Sequence, residues 1–190
     1  MEGATIHSPR KVIAAFLILF CLVGCRSENA PPTTAEGHAP MVYRVNGQTP
    51  HWIGRLMSNG QTHYLVAEQG EVGFLLYGVR MQLPEGSFRA MFRLRADQLA
   101  PEEVAAIDVH AFDPSKQMEL FLTSPTNLIL ASSSIRGTDF ENPGQFRDFS
   151  LLFSTRGLAR SVLYELRVQS SGQTGLWLEQ TAVQRMEYVQ

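Results

Sequence analysis

The chain has 190 residues, 44% of them hydrophobic, which is enough for one domain with a buried core. Its formal net charge of −2 argues against electrostatic binding to nucleic acid or to a polyanionic surface. Both cysteines, Cys21 and Cys25, precede residue 26, so no disulfide can cross-link the chain after them.

The first 24 residues have the pattern of an export signal. A polar stretch ends in Arg10-Lys11, and residues 12–23 (VIAAFLILFCLV) are nearly all apolar. A span of the bilayer core needs about 20 apolar residues, so a transmembrane helix is the poorer interpretation. The apolar run ends in Leu22-Val23-Gly24-Cys25.

This four-residue sequence resembles the lipobox of bacterial lipoproteins, whose cysteine is acylated. The resemblance implies a signal peptide over residues 1–24 and a lipid on Cys25, which becomes the mature N-terminus. Cys21 is removed with the signal, since Phe20 precedes it where a small residue is required. Buried acyl chains would then hold the protein on the membrane as a palmitate-type anchor. The alternative is an ordinary secretory signal with an incidental cysteine.

The residues after Cys25 suggest a destination and a tether. In Gram-negative lipoproteins an Asp after the acylated cysteine favours the inner membrane. Arg26 stands there instead, so we expect a lipid-anchored protein of the cell envelope, at the outer membrane if the cell has one. Residues 25–40 form the lipidated cysteine and a flexible linker rich in Pro, Ala and Thr, and residues 41–190 form the folded domain.

From Met41 onward, short apolar runs alternate with Gly, Pro, Asn and Ser clusters about every ten residues, which is typical of an all-β sandwich. The clearest strand is 87–95, where three arginines share one face and therefore point away from the core. Its inward residues, and those of the later strands, are Phe88, Ala90, Phe92, Leu94, Ile107, Val109, Ala111, Phe149, Leu151, Phe153, Tyr164, Leu166, Val168, Leu176 and Leu178. Residues 98–104 predict a helical turn, and Ser132 to Ser134 predict a loop.

The order of these strands is similar to that of a known family. Residues 73–95 (GFLLYGVRMQLPEGSFRAMFRLR) are followed by GQFRDFSLLF, LYELRV and GLWLEQTAV. This pattern resembles the galactose-binding-like jelly rolls that include many carbohydrate-binding modules. The resemblance implies a jelly-roll β-sandwich of two antiparallel sheets, and it supports the fold more than the ligand.

Sequence motifs for catalysis or metal binding are weak. The chain has no GxSxG or HExxH motif, and its cysteines precede the domain. Glu165 and Glu179 could pair as glycosidase carboxylates, but cross-strand salt bridges explain them better. Jelly rolls of the family often hold a structural calcium, and Asp139 and Glu141 with Asp148 are its candidate ligands here. The alternative is that Asp139 and Asn142 only form turns.

The remaining hypothesis is a binding surface on a sheet face. A sugar ring stacks on a flat aromatic side chain, while charged groups take its hydroxyls. The candidate ligand-binding residues are Trp177, Glu179, Arg167, Glu165, Arg93, Phe112 and His110. An alternative is that residues 41–66 cover Trp177 and Phe112 as a second small core. His51-Trp52 is either a loop-borne contact or a plug at the end of the sandwich.

We therefore predict a non-catalytic, envelope-anchored lipoprotein that binds carbohydrate: a glycan, the cell wall or an exopolysaccharide. A structural or assembly lipoprotein that binds a protein partner through the sandwich is the alternative. An envelope hydrolase is a remote third.

Overall fold

The computed structural model describes residues 39–114 and 128–187, all of which lie in one compact unit, Thr34–Gln190. Within these residues the chain forms eleven strands and a short 3₁₀ helix, Gly137–Asp139. The strands are β1 Met41–Arg44, β2 Arg55–Ser58, β3 His63–Ala67, β4 Val72–Leu76, β5 Arg80–Met81, β6 Ser87–Ala96, β7 Glu103–Phe112, β8 Leu128–Arg136, β9 Arg147–Ser154, β10 Leu163–Ser171 and β11 Leu176–Met186.

The strands form two antiparallel sheets. Sheet A has the order β2-β3-β11-β6-β9, with β1 paired to the second half of β11. Sheet B has the order β4-β10-β7-β8, with β5 paired to the start of β10. From β8 onward each successive strand lies in the opposite sheet, and earlier crossings join β3 to β4, β5 to β6 and β6 to β7. This is a jelly-roll β-sandwich, and it confirms the predicted fold class.

The core lies between the sheets and is built by strict alternation along the strands. In β6 every second residue is buried, and Phe92 and Leu94 have no exposed surface. Val109 of β7 and Leu166 of β10 face them from the other sheet and are equally buried. Burying each side chain of this size contributes about 1.5–3 kcal/mol to stability. The inward faces predicted for β6, β7, β9, β10 and β11 are confirmed.

Two local predictions were wrong. Residues 98–104 form no helical turn, because the chain must cross from the end of β6 to the start of β7 in six residues. The segment is bent and extended, and β7 already begins at Glu103. Ser132 to Ser134 lie within β8 rather than in a loop, paired to β7. Since β8 is at the end of the strand order of sheet B, its exposed positions accept serine.

A bulge in β11 changes which residues face outward. The pairing with β6 shifts between Leu178 and Gln180, so that Glu179 has no directly opposed residue in β6. A bulge re-aims side chains and restarts the alternation one residue later. Thr181 and Val183 consequently point inward after the bulge and are buried.

Candidate functional site

The two sheets separate the seven candidate ligand-binding residues into two groups. Trp177 and Glu179 lie on β11 and Arg93 on β6, all in sheet A. The other four lie in sheet B and are Arg167 and Glu165 on β10 and His110 and Phe112 on β7. Since these side chains face outward from opposite layers of the sandwich, one ligand cannot contact both groups on a single face.

The sheet A group belongs to an arginine and aromatic cluster. The guanidinium of Arg95 lies 3.6 Å from the ring centroid of Trp177. Tyr64 meets Trp177 edge-on at 5.8 Å, and Phe146 stacks on Tyr64 at 5.5 Å. The Trp177 indole is half-buried, and its Nε1–H donates to Asp97 Oδ2 at 3.2 Å. One face of this indole is therefore occupied by a cation of the same chain.

Arg93 is held firmly in this cluster by two carboxylates. Its Nε donates to Glu179 Oε2 at 2.6 Å, and its Nη1 donates to both Asp148 oxygens at 3.2 Å. The hydrogen bond with Glu179 is the main reason that the pKa of Arg93 is raised above its ordinary value. Glu179 and Arg93 thus form the kind of cross-strand ion pair that the sequence indicated.

The sheet B group centres on a paired arginine and aspartate. Arg167 donates from Nε to Asp108 Oδ1 at 2.7 Å and from Nη2 to Oδ2 at 3.0 Å, across the register of β10 and β7. Both side chains are mostly buried. Such a bidentate pair is geometrically fixed and still leaves donors and lone pairs that a ligand hydroxyl can use.

A second pair lies beside it, one step along each strand's outer face. Glu165 is directly opposite His110, with His110 Nδ1 at 3.3 Å from Glu165 Oε2. Burial alone would raise the pKa of Glu165. Hydrogen bonds from His110 and from the Gly78 backbone N–H, together with the charge of Arg167, hold that pKa below its usual range.

Phe112 is not available as a stacking surface. Its exposed fraction is 7%, and the guanidinium of Arg80 lies 4.7 Å from its ring centroid. His110 stacks on the ring at 6.0 Å. Phe112 therefore serves as packing on this face of the sheet, beneath Arg80 and beside His110.

An exposed aromatic cluster at the edge of sheet B supplies what Phe112 cannot. Trp52 is 68% exposed, and its ring packs against Phe74 at 5.2 Å and Tyr77 at 5.0 Å. We call these three residues the Trp52 platform. Arg167 links the platform to the paired charges, because its guanidinium lies 5.3 Å from the Phe74 ring.

Backbone hydrogen bonds fix the platform in place. The N–H groups of Trp52 and Ile53 donate to the carbonyl of Phe74 in β4 at 3.0 and 3.3 Å. The N–H of Tyr77 donates to the carbonyl of Pro50 at 3.4 Å. The loop that carries Trp52 is therefore attached to β4 at both ends of the cluster, and Trp52 is a loop-borne contact rather than a plug.

Phe74 and Tyr77 were missed by sequence reasoning because they lie in the apolar run GFLLYGV, which looks like a core strand. The run does contain core residues, Leu75 and Leu76. The signals that distinguish its other members are the flanking glycines, since Gly73 and Gly78 both have positive φ. Such glycines mark irregular backbone, which turns side chains away from simple alternation.

The proposed calcium ligands are engaged by the protein itself. Asp139 Oδ2 accepts the Arg136 N–H at 2.7 Å, and Arg147 donates to the Asp139 carbonyl. Glu141 lies 3.9 Å from Arg147 in an exposed ion pair. Over residues 39–114 and 128–187, no three His, Cys, Asp or Glu side chains are grouped as metal ligands. Asp139 here acts as a turn former.

The two candidate glycosidase carboxylates do not meet. Glu165 is in sheet B, paired with His110, and Glu179 is in sheet A, paired with Arg93. A glycosidase pair must flank one bond from the same cleft. The described residues thus offer these two glutamates as members of separate ion pairs.

The predicted anchor lies outside the described residues, as do the signal peptide and the linker up to residue 38. Within residues 39–114 and 128–187, no helix has the length and apolar character to cross a membrane.

Comparisons with known proteins give similarity only at the level of structure. No protein-family model matches the chain, and no curated protein matches it. A xylan-binding module, CBM15, is 10% identical with a TM-score of 0.45, covering 80% of this chain and all of that one. A CBM4 structure is 11% identical with a TM-score of 0.44, covering 78% and 86%.

A third similar structure is the CBM22-1 and GH10 modules of xylanase 10B from Clostridium thermocellum. It is 8% identical with a TM-score of 0.41, and the match covers 80% of this chain but 25% of that one. Because all three TM-scores are below 0.5, the function of this chain must be inferred from its own side chains.

Proposed function

We propose that this jelly roll is a non-catalytic carbohydrate-binding domain, and that the glycan lies across the outer face of sheet B on the Trp52 platform. The single observation that carries the proposal is an indole that is 68% exposed yet fixed by ring contacts and backbone hydrogen bonds. A large apolar side chain held rigidly in solvent is typical of a binding surface.

The platform suits the apolar face of a sugar ring. Trp52 offers a flat surface whose position is already set by Phe74 and Tyr77. Little side-chain entropy is then lost when the ring is covered, which favours binding. Stacking on such a ring contributes hydrophobic and CH–π attraction without requiring a charge on the ligand.

Hydroxyl recognition is assigned to Arg167 and Asp108, beside the platform. Phe74 is in β4, Arg167 is in the neighbouring strand β10, and Asp108 is one strand further, in β7. Neighbouring strands are about 4.8 Å apart, so a short oligosaccharide running across the strands would pass from Trp52 to the ion pair. The guanidinium and carboxylate keep unused donors and lone pairs for its hydroxyls.

Trp177, Glu179 and Arg93 form a second candidate surface on sheet A. The Arg95 guanidinium over Trp177 would have to leave before a sugar could stack on that face of the indole. We therefore place the glycan on sheet B, and the two surfaces can be distinguished by mutation.

We further propose that the domain is held at the cell envelope by a lipid on Cys25. The sequence Leu22-Val23-Gly24-Cys25 after an apolar stretch supports this proposal, as does the Pro-rich segment that follows. A domain tethered in this way would bind glycans of the cell wall or an exopolysaccharide next to the membrane.

Docking of a protein partner is the second candidate function. It is favoured by exposed apolar side chains on two strands that lie close together at one side of the sandwich, β8 and β9. Leu128 and Ile129 of β8 are 50% and 53% exposed, and Leu152 of β9 is 65% exposed.

The test is affinity electrophoresis of the full-length protein through gels that contain xylan, β-glucan, polygalacturonate or solubilised peptidoglycan. We expect retardation by at least one polysaccharide, with no release of reducing sugar on incubation. Unchanged mobility in all four gels, with a defined envelope protein crosslinked at Leu128 or Leu152, would favour the docking function instead. Release of reducing sugar would identify a hydrolase.

A further inference from the structure

The segment between β4 and β5 connects the Trp52 platform to the buried charges of sheet B. Tyr77 belongs to the platform, and the next residue, Gly78, donates its backbone N–H to the Glu165 carboxylate. Gly78 has φ of +76° and packs closely on Pro50, whose carbonyl accepts the Tyr77 N–H. The Glu165 carboxylate is thus one hydrogen bond away from the backbone that positions the platform.

Glu165 is itself held from the other side. The residues Glu165 and His110 are 8% and 6% exposed, and His110 Nδ1 lies 3.3 Å from the carboxylate. Arg80 of β5 is directly opposite Glu165 in the register, and Arg167 lies two residues along the same strand. The carboxylate therefore has a fixed orientation from which to accept the Gly78 N–H.

We propose that Glu165, oriented by His110, is a positioning residue for the Trp52 platform. Its carboxylate fixes Gly78, Gly78 fixes the neighbouring Tyr77, and Trp52 packs on the Tyr77 ring at 5.0 Å. The consequence for glycan affinity rests on the proposed function, but the positioning of Trp52 does not.

A purely structural role explains less of this arrangement. A buried pair such as Glu165 and His110 is often no more stabilising than two apolar side chains of the same size. The pair lies directly beneath a loop whose exposed indole would otherwise be free to move. Each side chain that must be ordered during binding weakens affinity by about two- to tenfold, so a preordered platform gains that factor.

The test uses the full-length protein labelled with ¹⁵N, in which the Gly78 amide and the Trp52 indole N–H are followed by NMR. In Glu165→Leu we expect the Gly78 amide to exchange at least about tenfold faster, and the order parameter of the Trp52 indole to fall below about 0.6. In Glu165→Gln the side-chain carbonyl still accepts the Gly78 N–H, so both values should stay near those of the wild type.

Because Glu165→Leu leaves His110 buried without its partner, the double variant Glu165→Leu with His110→Phe is measured beside it. Glu179→Leu is the matched control, since it removes a glutamate from an ion pair in the other sheet. It should lower the melting temperature without changing the Trp52 indole.

An unchanged Trp52 order parameter and Gly78 exchange rate in a folded variant that lacks the Glu165 carboxylate would overturn the proposal. Affinity for any polysaccharide that retards the wild type should also fall about two- to tenfold in Glu165→Leu and recover in Glu165→Gln. If no polysaccharide retards the wild type, the proposed function fails, while the positioning role is still decided by the NMR measurements.

Discussion

The two tryptophans of the chain meet different neighbours, and those neighbours determine what each indole can bind. Trp177 is half-buried, with a guanidinium 3.6 Å from its ring centroid and its N–H donated to Asp97. Trp52 is 68% exposed, and its ring contacts are with Phe74 and Tyr77. A sugar can therefore cover Trp52 without displacing a charged side chain of the protein.

At the same scale, the pKa of Glu165 predicts how stability depends on pH. Its folded-state pKa is below 4.5 because of the hydrogen bonds from His110 and Gly78, which outweigh its burial. A lowered carboxylate pKa adds stability above the unfolded-state pKa, and this stability is lost as pH falls through the folded-state pKa. Between pH 6 and pH 3, the free energy of unfolding should therefore fall more in the wild type than in Glu165→Gln.

Urea unfolding at pH 3, 4, 5 and 6 measures this difference for the two proteins. Parallel pH dependence in both would show that Glu165 has no lowered pKa in the folded state.

Individual strands were predictable where they alternate strictly, and less so where one residue interrupts the alternation. In β6 the outward arginines and inward Phe88 to Leu94 follow from the cost of burying unpaired charge. The bulge at Glu179 could not be seen, because either register of residues 178–183 places apolar side chains inside. The edge position of β8, which admits three serines, depends on the sheet order and not on local sequence.

A prediction at this scale concerns the contact between two connecting segments. Gly137 begins the 3₁₀ helix after β8, and a Cβ added there would overlap the backbone N and O of Ala100 in the crossing from β6 to β7. Gly137→Ala should therefore lower the free energy of unfolding by about 1–3 kcal/mol, because one backbone segment must move. Urea denaturation measures the change.

Gly47→Ala is the control, since nothing lies within 4 Å of a Cβ at Gly47 and the change should stay within about 0.5 kcal/mol. Equal effects of the two substitutions would contradict the close approach at Gly137.

At the scale of the whole molecule, the jelly roll decides which residues can act together. The outward faces of single strands were predictable, and with them all seven candidate residues, but their division between two sheets was not. Consecutive strands β10 and β11 look like neighbours in sequence, yet the chain crosses the sandwich between them. Trp52 entered the candidate site through the loop that joins β1 to β2, whose path depends on hydrogen bonds to β4.

The predicted lipid anchor concerns the location of the whole protein. Cys25→Ser removes the acylation site, so the full-length protein should move from the membrane fraction to the soluble fraction of the expressing cells. Cys21→Ser is the matched control and should remain in the membrane fraction, because Cys21 is predicted to leave with the signal. Membrane retention of Cys25→Ser, measured by fractionation and immunoblotting, would contradict lipidation.

The central claim is that a glycan binds on sheet B over Trp52. The most direct test compares Trp52→Ala with Trp177→Ala in the full-length protein, using the polysaccharide that most retards the wild type, after circular dichroism shows that both variants are folded. We expect Trp52→Ala to weaken binding by about tenfold or more, as the loss of a central aromatic contact does, and Trp177→Ala to change it less than about twofold. The reverse pattern would place the glycan on sheet A, and unchanged binding in both variants would contradict recognition through either tryptophan.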